Sequence, residues 1–258
     1  MNSKQKLRIL FGLMIFLILT PLVRAEVSRP EIERVFQAFQ KAYGDELRQK
    51  NQSLFFNRPI GYFDWLDLDL AHASYIQIQS DSDAHIFHEI TLVGGLLKLP
   101  NFDMDAAVLV LCHELGHGLG GEPFKSLNEP DSDTYLSSTE GQADYFATQE
   151  CLPKLWKVLP ASVQDYFPAA ETKCRSQFTP GTETHSICLR SFAAMRGFLQ
   201  IHQNNQPMFL SADFQSHDPY TATEINRGSR YYPSAQCRLD TLMAGALAQP
   251  RPPCWYKL

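Results

Sequence analysis

Residues Cys112–Gly121 read Cys-His-Glu-Leu-Gly-His-Gly-Leu-Gly-Gly, and within them lies His113-Glu114-x-x-His117. On a helix, side chains four apart project from one face, so both imidazoles can reach a single metal ion. Glu114 turns toward the same site without being needed as a ligand, which suits a general base. Taken alone, the pair also fits two structural histidines, so the surrounding sequence has to decide.

Upstream, Ala106–Leu111 is apolar on every face, which predicts a helix buried in the core. Asn101 and Asp103 are both suitable N-caps for it, and Gly118, Gly120 and Gly121 end it. The motif therefore falls near the end of a rigid core helix. A catalytic zinc takes three protein ligands and keeps one position open. A third histidine six residues after His117 would complete one such pattern, but that position holds Pro123. The other route draws a carboxylate from a later helix, and Thr139–Trp156 reads as one, with Ala143, Phe146, Ala147 and Leu152 inward. Glu140 and Asp144 share a face of it at i, i+4. Glu140 is the expected anionic ligand, and Asp144 the carboxylate that orients a ligating histidine through its other ring nitrogen.

Gly94-Gly95-Leu96-Leu97, the apolar helix into His113–His117, and Glu140-x-x-Ala143-Asp144 together resemble the gluzincin metallopeptidases. Within these the stretch is most similar to the CAAX-prenyl-endopeptidase-like family and its soluble periplasmic relatives. The resemblance is specific over residues 86–150. It implies one zinc ion on His113, His117 and Glu140, with Glu114 as base and acid. A second segment, Tyr232–Leu239, is similar to one in that family where a His-Pro pair precedes an arginine. Here Tyr232 stands in the histidine's place, and a tyrosine hydroxyl can also donate to an oxyanion. Arg238 would then either position substrate or bind the Glu140 helix. His217 is a further candidate donor. The membrane-spanning helices of the family's integral members are absent from this sequence.

The rest of the chain sets the frame. Lys4, Lys6 and Arg8 precede an uncharged apolar run, Ile9–Val23, and Val23-Arg24-Ala25 offers small residues at a cleavage site. Residues 1–25 thus read as a signal peptide, the alternative being an uncleaved anchor, for which the run is short and broken by Pro21. The signal would export a single domain, 26–258, with a helical C-terminal part, to a periplasm or out of the cell. The whole chain carries a formal charge of −5; residues 1–25 hold four basic and no acidic side chains, which leaves −9 on the remainder. An acidic body argues against nucleic acid and against anionic membrane surfaces. Six cysteines in an exported chain favour disulfides. Of fifteen pairings the local ones are Cys174–Cys188 and Cys237–Cys254. Cys112 is rotated about 100° from the ligand face, as a buried thiol or a disulfide partner.

Ser28-Arg29-Pro30-Glu31 starts an amphipathic helix with Ile32, Val35, Phe36, Phe39 and Tyr43 inward, which Gly44 ends or kinks. Ser74–Gln79 alternates as a half-buried strand and Ile86–Val93 follows as a second. Two further helices are expected around Ile187–His202 and Gln236–Ala248. The fold class that emerges is α+β and zincin-like, mostly helical, with a small antiparallel sheet before the metal-binding helix. The expected activity is zinc-dependent hydrolysis of a protein or peptide, drawn along the strand at Ile86–Val93 as an edge. Two alternatives share the metal: a latent zinc-binding or chaperone-like envelope protein, and an amidase acting on cell-wall peptides.

Overall fold

The first described helix begins where Glu31 accepts hydrogen bonds from the backbone N–H and hydroxyl of Ser28, at 2.8 and 2.6 Å. The computed structural model describes residues 27–59, 64–80, 82–100, 102–126, 137–160, 166–205, 212–228 and 231–257. The signal peptide expected over 1–25, and Asn101, lie outside them. Helix α1 (Arg29–Gln49) buries Ile32, Val35, Phe39, Tyr43 and Leu47. It runs past Gly44, which neither ends nor bounds it, because Leu47 continues the buried stripe one turn further.

Three strands follow: β1 (Gln52–Phe56), β2 (Ala73–Gln79) and β3 (Ile86–Leu92). They form one sheet in the order β1-β3-β2. β2 pairs antiparallel with β3, from Ala73↔Leu92 to Gln79↔Ile86, while β1 pairs parallel with it, from Gln52↔Ile86 to Phe56↔Ile90. The sheet is therefore mixed rather than antiparallel, and Ile86–Leu92 is its central strand rather than an edge. Burial explains why: the last five residues of β3 are all buried, as a strand paired on both sides should be. β2 keeps the alternation of an edge strand, with Ile76 and Ile78 exposed on the outer face.

A short turn of helix, α2 (Gly94–Leu97), leads into α3 (Met104–Leu119). Asp103 caps α3 by accepting from the backbone N–H of Ala106 at 2.8 Å. The residues from Asp105 to His113 are all buried, so α3 is the central helix of the core. Behind it, Arg190 of α7 (Glu183–Asn205) forks onto Asp105 at 3.0 and 2.9 Å and lies 3.8 Å above the Trp156 ring.

The expected helix over Thr139–Trp156 is present but interrupted. It comprises α4 (Glu140–Phe146), a π turn at Ala147–Cys151, and α5 (Leu152–Trp156). Across it packs α8 (Ala235–Ala246), whose Gly245 leaves no room for a Cβ beside the Tyr145 carbonyl and the Thr148 hydroxyl. α6 (Pro168–Gln177) was not foreseen, since it buries only Ala170 and Cys174 and so shows no clear apolar period. α7 begins four residues earlier than expected, and α8 ends two residues sooner. No helix among the described residues is long and apolar enough to cross a membrane.

All six cysteines are paired. Cys174–Cys188 joins α6 to α7, Cys237–Cys254 ties the C-terminal segment to α8, and Cys112–Cys151 clamps α3 to the end of the π turn. Such cross-links persist in oxidising compartments.

Two measurements test this frame. Cys112–Cys151 closes a separation of 39 residues. Its removal in a Cys112→Ala/Cys151→Ala variant should cost about 4 kcal/mol in urea denaturation, and a loss below about 1 would show that helix packing alone holds the two segments. His88, whose imidazole lies 2.7 Å from the Tyr75 hydroxyl and 3.1 Å from Gln52 Oε1, is pushed down to about 4 by burial. The fold thus holds it neutral, whereas in the free chain it protonates near 6.5. Its contribution is complete above about pH 6.5 and is lost as pH falls towards 4, by up to about 3 kcal/mol. His88→Gln should flatten that part of the stability profile; a parallel profile would mean that His88 carries no such share.

Candidate metal centre

The face of α3 opposite Cys112 carries His113 and His117, with ring centroids 4.8 Å apart. Neither ring is free to turn. His117 Nδ1 donates to the carbonyl of Ser138 at 2.9 Å, and because a carbonyl only accepts, the proton sits on Nδ1 and Nε2 keeps its lone pair. His113 Nδ1 donates to Asp144 Oδ1 at 2.7 Å, which fixes a proton on Nδ1 and makes Nε2 the nitrogen that a cation would take in place of a proton. Both Nε2 atoms converge on Glu140: His113 Nε2 lies 3.3 Å from Oε2, and His117 Nε2 lies 3.5 Å from Oε1. Ligand atoms of the three residues all fall within 4.8 Å of one another. Bonds of about 2.0–2.2 Å to a four-coordinate cation place neighbouring donors about 3.3–3.6 Å apart, and the two histidine-to-carboxylate distances fall in that range, each through a different oxygen. Glu140 Oε2 is buried and has no hydrogen-bond partner, an orphan that a cation would satisfy. The donor set His113, His117 and Glu140 can therefore hold a metal ion.

Two glycines of the motif make this approach possible. A Cβ on Gly116 would stand 2.8 Å from the backbone of Ala143, so only glycine lets α4 lie close enough to deliver Glu140 and Asp144. A Cβ on Gly118 would meet the Tyr75 hydroxyl at 2.3 Å and His88 Nδ1 at 2.8 Å, so this glycine seats α3 on the sheet.

The electrostatics separate the two histidines. Burial drives His117 down to about 3, since its partner is a neutral carbonyl. Burial also opposes the charge on His113, but the Asp144 carboxylate outweighs it and holds that ring up at about 9. Asp144 is itself kept below the usual carboxylate range, against the cost of its burial, by Arg238 and His113. Burial opposes the charge on Glu140, but His117, His113 and Lys125 around it outweigh that and hold it well below its ordinary value. Glu114, on the intervening turn of α3, moves the other way: burial pushes its carboxyl up to about 7.

Comparison with protein-family models, with curated proteins and with solved structures finds no match for this chain. The reading of the site rests on its own geometry.

That geometry gathers most of the residues expected from sequence. Arg238 of α8 donates Nε to Asp144 Oδ2 at 2.7 Å and Nη2 to Oδ1 at 2.8 Å. It thus binds the helix that carries Glu140. Tyr232 has 58% of its surface exposed, and its ring lies 5.9 Å from the Arg238 guanidinium carbon. The charge of Glu140 is the largest influence on the Tyr232 phenol and raises it to about 12, so the hydroxyl stays protonated. His217 is exposed on a loop, where its charge acts on Asp240, and it does not join the cluster. Sequence reading missed two participants. One is the Ser138 carbonyl, a backbone atom without a side-chain signature. The other is Lys125, whose Nζ donates to Glu140 Oε1 at 2.8 Å.

Asp144→Asn tests the network with little change of shape. It weakens the electron push through His113 and should lower affinity for a divalent cation by about 10–100-fold, read by competition with a chelating dye. Unchanged affinity would separate Asp144 from the metal.

Proposed function

We propose that this chain is an exported zinc-dependent endopeptidase. The observation that carries the reading is the convergence of two Nδ1-anchored imidazoles and one orphaned carboxylate oxygen, with Glu114 on the same helix between them. Two imidazoles and a carboxylate, with a further position left for water, form the donor set of a catalytic zinc. When bound, the ion would supply a polarised carbonyl and a more acidic water.

The chain's own groups supply the remainder. A carboxyl lifted to about 7 is matched to proton transfer near neutral pH. Glu114 would take the proton from the attacking water and deliver it to the departing amine nitrogen. Asp144 and the Ser138 carbonyl hold the rings in the tautomer that leaves Nε2 available. The Tyr232 hydroxyl, kept neutral, is suited to donate to the oxygen on which negative charge develops.

Substrate placement moves from β3, which is central, to β2. This edge strand lies against α3, where the Tyr75 ring is 6.4 Å from that of His117. An extended peptide could add to its outer side through backbone hydrogen bonds. Three disulfides favour an oxidising location, periplasmic or extracellular, in keeping with the expected N-terminal signal.

Glu114→Gln provides the test. It should retain one metal ion per chain while casein cleavage falls by about 10²–10⁴-fold. Wild-type rates in that variant would remove Glu114 as the base. Cleavage of peptidoglycan fragments without cleavage of casein would transfer the same machinery to cell-wall amides.

A further inference from the structure

Lys125 is a charged group of the cluster that takes no part in the mechanism above. Its ammonium is largely covered, with 16% of the side chain exposed, and it meets Glu140, of which 2% is exposed. The backbone holds it there firmly. Phe124 and Ser138 form a β-bridge, Lys125 N–H donates to the Ser137 carbonyl at 2.7 Å, and Thr139 N–H donates to the Pro123 carbonyl at 2.9 Å. Arg227 braces the same ribbon, accepting from the Ser126 N–H at 2.6 Å and donating to the Phe124 carbonyl at 3.2 Å. Ser138, opposite Phe124, also fixes His117. One ribbon thus orients a ligating histidine and presents a lysine to the ligating carboxylate.

The two oxygens of Glu140 are not equivalent. Oε1 accepts from Lys125 and lies 3.5 Å from His117 Nε2, whereas Oε2 has no hydrogen-bond partner and lies 3.3 Å from His113 Nε2. We propose that Lys125 is a positioning residue for the metal: its ammonium reserves Oε1, so that Glu140 offers Oε2 alone to a divalent cation shared with His113 and His117. A carboxylate with both oxygens available tends to chelate, which would fill the position a water needs. The ammonium also draws charge from the carboxylate, so the cation keeps more of its own positive charge and is the stronger Lewis acid. This inference rests on the metal reading of the site but not on peptide cleavage.

Cobalt(II) substitution tests it, because the visible bands of that ion strengthen several-fold at low coordination number. Wild type and Lys125→Arg, which keeps the cation, should each bind one cobalt per chain with the intense spectrum of a four-coordinate site. Lys125→Met, which keeps the stem, should bind cobalt with a band several-fold weaker as Glu140 becomes bidentate. Identical spectra in wild type and Lys125→Met overturn the proposal, as does a wild type that takes up no cobalt. Should Lys125→Met fail to fold by circular dichroism, X-ray absorption on wild type loaded with zinc decides: one carboxylate oxygen at bonding distance supports the role of Lys125, and two overturn it. Peptide cleavage that depends on Glu114, combined with spectra indifferent to Lys125, would remove this role and leave the peptidase. A spectrum that depends on Lys125 in a chain that cleaves nothing would do the reverse.

Discussion

The constraint on which this structure turns is the burial of ionisable groups. His113, His117, Glu140, Asp144 and Arg238 are each no more than 7% exposed. Moving a single charge from water into such surroundings costs several kcal/mol, and only close pairing offsets it. The pairing here is a chain: Arg238 to Asp144, Asp144 to His113, His113 towards Glu140, and Glu140 to Lys125. Its members come from α8, α4, α3 and the ribbon before α4. No two neighbouring elements can satisfy their own charges, so the site and the mutual placement of those elements are a single requirement.

An apolar frame makes such pairing hold its geometry. α3 is buried along its length, and Gly116 brings α4 into backbone contact with it. On the far side of α3, Cys112 is bound to Cys151 at the end of the π turn. A π turn inserts one residue relative to an α-helical repeat and often marks a functional segment. Here it separates α4, which must aim Glu140 and Asp144 at α3, from α5, whose Leu152 and Leu155 pack into the core. The chain direction thus serves two faces that a regular helix would present at a fixed angle.

The sequence made those parts legible that depend on local spacing. Two histidines at i, i+4 and two acids at i, i+4 predict two helical faces, and the structure turns those faces toward each other. The alternation in Ser74–Gln79 placed β2 but not its faces, since Ile76 and Ile78 point outward and Tyr75 inward; the short separations of Cys174–Cys188 and Cys237–Cys254 were enough for those disulfides. What stayed hidden depends on partners remote in sequence. β1 is a five-residue strand whose place follows only from parallel pairing with β3, and the rank of β3 as central follows from β1. The partner of Arg238 is Asp144, 94 residues away. Lys125 sits in a loop with no periodicity, and its carboxylate partner is fixed by the bridge at Phe124 and Ser138 rather than by any pattern around it.

The charges within the pocket bear on its chemistry as a set. With both histidines neutral, as metal ligation requires, the carboxylates of Glu140 and Asp144 balance the cations of Arg238 and Lys125. A divalent cation entering this balanced pocket would bring two positive charges that no further fixed anion offsets. In a buried setting that excess is expensive, and two groups could relieve it by losing protons: Glu114, which burial, aided by Glu140, lifts to about 7, and a water on the cation. On the proposed reading, the same imbalance would favour an ionised Glu114 and a more acidic water together. It would arise because Lys125 neutralises Glu140, and a neutral side chain there would leave the pocket with less reason to shed either proton.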